Sequence, residues 1–413
     1  MSSAVFQKTL KETKSKSQLQ IPIVELLVLL SLIPSFFIVS NSLSQLVSMA
    51  VFPCAVLAHL FSRQPRSVLG IPIWIVAAIT ISLLSYLWSF TPQMTFDNAL
   101  RGTLPTINIM LLVGALPYQR AWFLFKATLG TSIVMSLIAV AVWPSAVHGT
   151  DDILVTGSWR GLYTHKNGAG PVGAVASLIF IDIWRRKGGK INLALAVCSM
   201  IFLLGTQSKT SILLTGVSFI VLLLIRRWLA GGAGRALVTL MVLGIAIFAG
   251  ILLLDDEVRG WLFDDPYNFT GRVGIWQTAL AIWVEQPWFG YGFRSVFGAE
   301  DGSLIGVAAT PFSAIAPHPH NSYIQAMVGT GVVGLVFIVA GFVITPIIVA
   351  LRLKGSTVPP SVSLCIAIII FSIMRALFES LVLQYARPGW MVWPICIALL
   401  ISYSNQNSVT KKI

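Results

Sequence analysis

Apolar runs of about 20 residues recur along the whole chain, separated by short polar breaks. One long polar stretch, near residues 255–321, interrupts them. A bilayer core of about 30 Å needs about 20 apolar residues per crossing helix. The pattern predicts about twelve spans, at roughly 21–40, 43–62, 69–89, 102–118, 121–143, 168–184, 191–207, 210–226, 235–254, 322–351, 361–383 and 388–405. Barrel strands would alternate over ~10 residues instead of running unbroken. The expected fold class is therefore all-α: a polytopic membrane protein with about 12 transmembrane helices and a large outer loop containing short helices. The expected segments are an N-terminal tail over 1–20, a bundle of about nine helices over 21–254 with an outer loop near 144–167, the large loop over 255–321, the last helices over 322–405, and a tail over 406–413.

Composition sharpens this picture. The chain is 56% hydrophobic and only 10% charged, against about 25% charged residues in a soluble domain. The net charge of +13 would suggest nucleic acid in a soluble protein, but membrane topology accounts for most of it here, so no nucleic-acid partner is expected. Basic clusters mark one side: the N-terminal lysines, Arg63 and Arg66, Arg120 and Lys126, Arg185 to Lys190, Arg226, Arg227 and Arg235, Arg352 and Lys354, and Lys411 with Lys412. Their alternation with the spans predicts both termini inside. The polar, basic start followed by a long apolar run reads as a retained helix rather than a cleaved signal. Cys54, Cys198, Cys365 and Cys396 lie in separate apolar runs without metal-ligand spacing and are expected to be buried thiols.

Nine basic residues run against this orientation bias: Arg101, Arg160, Lys166, Lys209, Arg259, Arg272, Arg294, Arg375 and Arg387. An anionic substrate on the outer face explains them, and so does ordinary pairing with nearby acids. Four of the five histidines, His148, His165, His318 and His320, fall in the two outer loops. A loop as long as the second is usually functional. The tetrapeptide His318-Pro319-His320-Asn321 ends it, just before an apolar run, and a titratable imidazole there is a natural proton acceptor for a hydroxyl nucleophile. Three patches offer fixed positive charge on the same face: Trp159 to Gly168, Gln207-Ser208-Lys209-Thr210, and Gly271 to Trp276. The nearest approach to a carboxylate pair at metal-ligand spacing, Asp255-Asp256-Glu257 and Asp264-Asp265, reads as solvated loop acids or partners of Arg259, which argues against a divalent-metal site and for Arg and Lys as the clamp on a phosphate group.

Each feature also has a structural explanation. His318 and His320 fit loop residues bonded to backbone. Lys209 fits a lysine snorkelling to the interface. Arg272 fits a cap or a loop ion pair. Arg375 and Glu379, four apart, fit an intrahelical ion pair slightly better than a substrate contact. Trp159, Tyr163, Trp276, Trp288 and Tyr291 fit an interfacial belt as well as sugar-stacking platforms.

Taken together, His318-Pro319-His320-Asn321-Ser322-Tyr323 followed by Gly329 to Leu335, Gly271-Arg272 with Trp276, Gly290-Tyr291-Gly292-Phe293, Trp88 to Pro92 and Gly161 to Asn167 resemble the O-antigen ligase and polysaccharide polymerase superfamily of bacterial envelopes. The resemblance implies metal- and cofactor-independent transfer of a glycan from an undecaprenyl-diphosphate carrier to an acceptor hydroxyl, with inversion, at the periplasmic face of the inner membrane. It implies His320 as the base, with His318 beside it, and Arg272 on the donor diphosphate. Lys209 stands where the family often has Arg, so it supplies charge without the bidentate fork. Lys166, Arg160 and Asn321 complete the expected diphosphate- or sugar-binding set. The implied partners are the lipid-linked oligosaccharide donor, a glycan or lipid A-core acceptor, membrane lipids, and polysaccharide export or chain-length proteins. The His-Lys-Asn patch and the Trp-Ser…Thr-Pro element look more like succinoglycan-type exopolysaccharide polymerases than like ligases onto lipid A-core. A transporter of lipid-linked oligosaccharide is the non-enzymatic rival, but it would want ionisable residues deep in the spans and internal repeats.

Overall fold

The computed structural model describes residues 21–37, 41–62, 70–150, 155–266, 268–297, 318–353, 358–384 and 388–410. The expected N-terminal tail, residues 411–413, Arg387 and the 298–317 part of the large loop lie outside the described residues, while 406–410 of the expected C-terminal tail continue the last helix. Helices α1 (Ile21–Phe36), α2 (Asn41–Phe61), α3 (Ile73–Leu84), α4 (Pro92–Ala115) and α5 (Tyr118–Val142) form the first part. Next come α6 (Lys166–Lys187), α7 (Lys190–Gly205), α8 (Lys209–Ala230) and α9 (Gly232–Leu254). Two helices, α10 (Asp256–Phe263) and α11 (Asn268–Glu285), occupy the expected large loop, followed by α12 (Ser322–Ile338), α13 (Thr345–Arg352), α14 (Pro360–Ala376) and α15 (Pro388–Thr410). Every expected span coincides with a helix. Among the described residues, six helical stretches are long and apolar enough to cross a membrane and four more are shorter and apolar, and the protein is an all-helical membrane protein.

Three boundaries differ from the apolar pattern. The helix expected at 102–118 begins at Pro92, because proline at the first helical position is tolerated where the N–H has no intrahelical partner. The span expected at 361–383 stops at Ala376, which leaves Glu379 in a turn beyond the helix. The long helix from Ser322 is broken at Gly331 (φ 66°, ψ −171°), a conformation essentially restricted to glycine. The break serves a purpose. Residues 286–292 pack against it, with the Tyr291 and Gly292 amides donating to the Val328 and Gly329 carbonyls, and the Val332 and Val333 amides donating to the Pro287 and Trp288 carbonyls. A Cβ on Gly331 would sit 2.1 Å from the Trp288 carbonyl oxygen.

Packing explains the layering. α6 is buried along nearly its whole length, from Gly168 to Ile183. Its small residues let neighbours approach closely: Gly173 faces the Leu203 backbone on α7, and Gly170 faces Ser208 and Ser211 at the start of α8. Small-residue faces are how helices associate where lipid removes the hydrophobic drive. α14 and α15 share this centre, with Trp390, Trp393 and Phe371 fully buried. α9 packs chiefly on α8 and α10 and turns Leu240, Ile245 and Phe248 outward, as a lipid-facing helix should. A separate small core of Ile275, Ala279, Tyr291, Val296, Phe297 and Val328 fastens α11 to α12. Cys365 and Cys396 are buried as expected, but Cys54 faces outward from α2. An apolar helix surrounded by lipid has no need to hide a small apolar thiol.

Candidate functional site

The histidine motif is held from three directions. Asn321 caps α12, its side-chain oxygen accepting from the Tyr323 amide at 2.9 Å and the Ile324 amide at 3.1 Å. This is the usual job of Asn at a helix start. From α11, the Trp276 indole donates to the Pro319 carbonyl at 2.7 Å. His320 itself takes a left-handed backbone conformation (φ 51°), which costs a non-glycine residue on the order of 1 kcal/mol or more. The turn brings the His318 and His320 rings edge to face, 4.1 Å between centroids.

The group these histidines meet comes from the far end of the sequence. Beyond α14, the Glu379 amide donates to the Arg375 carbonyl at 3.0 Å. The Ser322 hydroxyl donates to the Glu379 carbonyl at 2.7 Å and accepts from the Leu381 amide at 2.7 Å. So pinned, the buried Glu379 carboxylate is approached by three groups. The Arg272 Nη2 lies 3.5 Å from Oε1, the Asn167 side-chain amide donates to the same oxygen at 3.2 Å, and the His320 Nδ1 lies 3.6 Å from Oε2. The last separation is an ion-pair distance rather than a hydrogen bond. Arg272 is further fixed by donating from Nη1 to the Phe378 carbonyl at 2.6 Å. Arg375 donates to the Asn167 carbonyl at 2.6 Å. Burial pushes the Glu379 carboxyl up, but the neighbouring His320, Arg375 and Arg272 outweigh it and hold it down at about 2. It is an anion at any working pH. The ring of His320 is one-quarter exposed, while its Nδ1 is buried against the carboxylate.

The expected pairing of Arg375 with Glu379 is part of a larger cluster: α14 ends before Glu379, and the carboxylate meets Arg272 and His320 as well as the charge of Arg375. Of the expected site residues, His318, His320 and Arg272 come together. Asn321 lies beside them, with its side-chain oxygen capping α12. Arg160 is spent on the Ser145 and Thr164 carbonyls. Lys166 begins α6, where its amide donates to the His148 ring at 3.2 Å. The neighbouring Asn167, which donates to the His165 ring at 3.1 Å, makes the contact to Glu379. Lys209 is exposed at the start of α8, and no contact among the described residues joins it to the cluster. Glu379, Asn167 and Arg375 were missed as a site. The available signal was a pair of ionisable residues closing an apolar run, a placement that is costly unless paired.

His318, His320 and Glu379 place their donor atoms within 4.8 Å of one another. Spacing along the chain does not reveal this set, since the carboxylate arrives through space. The set fits a cation poorly. Arg272 and Asn167 already hold one carboxylate oxygen, and a guanidinium beside the site opposes a second positive charge. Chemically, the arrangement resembles a base backed by an orienting carboxylate, with a guanidinium on the same carboxylate that is able to grip an anion.

A protein-family model described as O-Antigen ligase matches residues 194–339, from within α7 to the end of α12. That stretch includes Arg272, His318 and His320 but not Glu379. The chain is also 24% identical over 290 residues to the Exopolysaccharide production protein ExoQ of Rhizobium meliloti (strain 1021), covering 64% of this chain and 62% of that relative. The chain thus spans less than two thirds of the length of that relative. Both similarities support the resemblance to the O-antigen ligase and polymerase superfamily.

Proposed function

We propose that the chain is a metal-independent inverting glycosyltransferase that moves a glycan from a polyprenyl-diphosphate carrier to an acceptor hydroxyl at the periplasmic face of the inner membrane. The observation that supports this best is the meeting of His320 and Arg272 on the single carboxylate of Glu379, at 3.6 and 3.5 Å. With Nδ1 directed at the carboxylate, His320 carries its acceptor lone pair on Nε2, which takes the proton of the attacking hydroxyl. Glu379 orients the ring and stabilises the imidazolium that forms. Arg272 holds the donor diphosphate and balances charge as the carrier leaves. The acceptor oxygen attacks the anomeric carbon, the bond from that carbon to the diphosphate oxygen breaks, and the electron pair leaves with the carrier. Lys166, next to Asn167 at the start of α6, adds a positive charge for the rest of the substrates.

Repeat-unit polymerisation is favoured over ligation to lipid A-core. The supporting observation is the similarity to a protein named for exopolysaccharide production, together with the His-Lys-Asn patch, whose Asn167 reaches Glu379. The test is a deletion strain complemented with wild type or His320→Ala. The expected result is loss of long polymer with single repeats still attached, at normal abundance of the variant in the membrane. Loss of every repeat from lipid A-core would replace the polymerase reading with ligation. Wild-type polymer from His320→Ala would remove the base. A failure of lipid-linked repeats to reach the outer leaflet would favour a transporter.

A further inference from the structure

A second charged cluster lies at the other end of α6. Asp182 is fifteen residues beyond Asn167, about 22 Å along the helix at 1.5 Å per residue. α8 runs parallel to α6 here, since Gly170 faces Ser208 while Asp182 faces Arg226. Asp182 is buried and doubly paired, with Arg226 at 2.7 Å and Arg186 at 2.8 Å. Arg226 also donates from Nε to the Ser363 hydroxyl at 3.2 Å. Beside this cluster, between α6 and α8, opens a groove of about 260 Å³ lined by Asp182, Arg185, Phe219, Leu222, Leu223 and Arg226. The proposed glycan chemistry uses none of these residues.

The groove has two unlike halves. Phe219, Leu222 and Leu223 make an apolar wall, and Leu223 is 54% exposed. At the end of that wall stand Arg185 and Arg226. The one acid present is already satisfied by two guanidiniums, so the net charge facing the groove is positive. Arg226 nevertheless retains an Nη2 that is buried and has no partner among the described residues. A buried guanidinium nitrogen without an acceptor is costly and calls for one. Further positive charge lies close along the chain: Arg186 and Lys187 end α6 and Lys190 begins α7. Basic pockets between transmembrane helices are where acidic lipid head groups bind.

We propose that this groove is a binding site for an anionic phospholipid. Arg226 Nη2 and Arg185 hold the phosphate, and one acyl chain lies along Phe219, Leu222 and Leu223. The bound lipid bridges α6 and α8 at the end of the bundle remote from His320, and it completes the hydrogen bonding of Arg226. A zwitterionic lipid offers the same phosphate but brings its own cation, which the surrounding arginines repel. The site is therefore selective for charge rather than for chain.

The test uses the purified full chain in detergent, with bound lipid counted by native mass spectrometry. The probes are dioleoyl-phosphatidylglycerol and dioleoyl-phosphatidylcholine. Wild type is expected to retain the first over the second. Arg185→Gln, an exposed residue whose loss spares the Asp182 pairs, is expected to lower phosphatidylglycerol retention about fivefold, the usual effect of one basic residue near an acidic head group. Arg227→Gln, at the same end of α8 but outside the groove, leaves retention unchanged, and excess inorganic phosphate does not displace the lipid. Equal retention of the two lipids overturns the proposal. Equal losses in Arg185→Gln and Arg227→Gln replace it with a diffuse basic surface, and displacement by inorganic phosphate replaces it with a simple anion site. Arg226→Gln is a second arm: wild-type retention there also overturns it, and if that variant does not reach the membrane, Arg185→Gln decides.

Discussion

Replacing Glu379 by Gln removes one negative charge and keeps the shape of the side chain. In the proposed reaction, the charge matters most at the moment His320 takes the acceptor proton and becomes cationic. At the observed 3.6 Å, an effective dielectric of about 20 gives an attraction of about 4–5 kcal/mol between imidazolium and carboxylate. The ring is one-quarter exposed, and the oxygen of the introduced amide still faces Nδ1, so roughly half of that interaction survives. The net loss is about 2–3 kcal/mol of barrier, or roughly 30- to 150-fold in rate. Donor binding should move the other way. Arg272 loses one partner but keeps the Phe378 carbonyl, so its guanidinium faces the diphosphate with less competition. The assay is polymer formation in membranes carrying their own lipid-linked donor, normalised to protein in the membrane and repeated at several donor levels. The expected pattern is a lowered maximal rate with unchanged or lowered half-saturation. Activity within about threefold of wild type, or a defect cured by more donor, would refute the role given to the carboxylate.

Three further outcomes follow from the same cluster. Arg272→Ala should weaken donor use more than Arg272→Lys, because lysine keeps the charge and loses the fork; equal behaviour of both with wild type in the transfer assay would remove the diphosphate clamp. Membranes stripped with a chelator should retain transfer, and loss of activity restored by a divalent cation would reassign His318, His320 and Glu379 as a metal site. The carboxyl of Glu379, lowered from 4.5 to about 2 on folding, contributes about 3 kcal/mol of stability that is fully present above pH 4.5 and lost as pH falls through about 2. Thermal unfolding in detergent should therefore decline more steeply below pH 4.5 for wild type than for Glu379→Gln, and parallel curves would contradict the buried ion pairing.

Much of the architecture was legible in the chain because it depends on local properties. An apolar run near 20 residues must cross as a helix, since lipid offers its backbone no other partner. All the expected spans accordingly coincide with helices, and the Gly271 to Trp276 patch lies in α11. His318, His320 and Arg272 were expected on one face because all three fall in the same large loop. The capping role of Asn321 was written in its position before an apolar run, although the motif drew it into the expected binding set instead.

The rest depended on distance in space. Asn167 and Glu379 are 212 residues apart, and Trp276 and Pro319 are 43 apart. No periodicity reports such pairings. Spacing along the chain suggested Arg375 as the partner of Glu379, but α14 stops three residues short of that carboxylate and the turn also brings it to Arg272 and His320, which spacing could not report. A helix propagates its order one hydrogen bond at a time between near neighbours, which is why hydropathy finds it. A buried charge takes whichever opposite charge the packed helices deliver, and only the assembled bundle decides which that is.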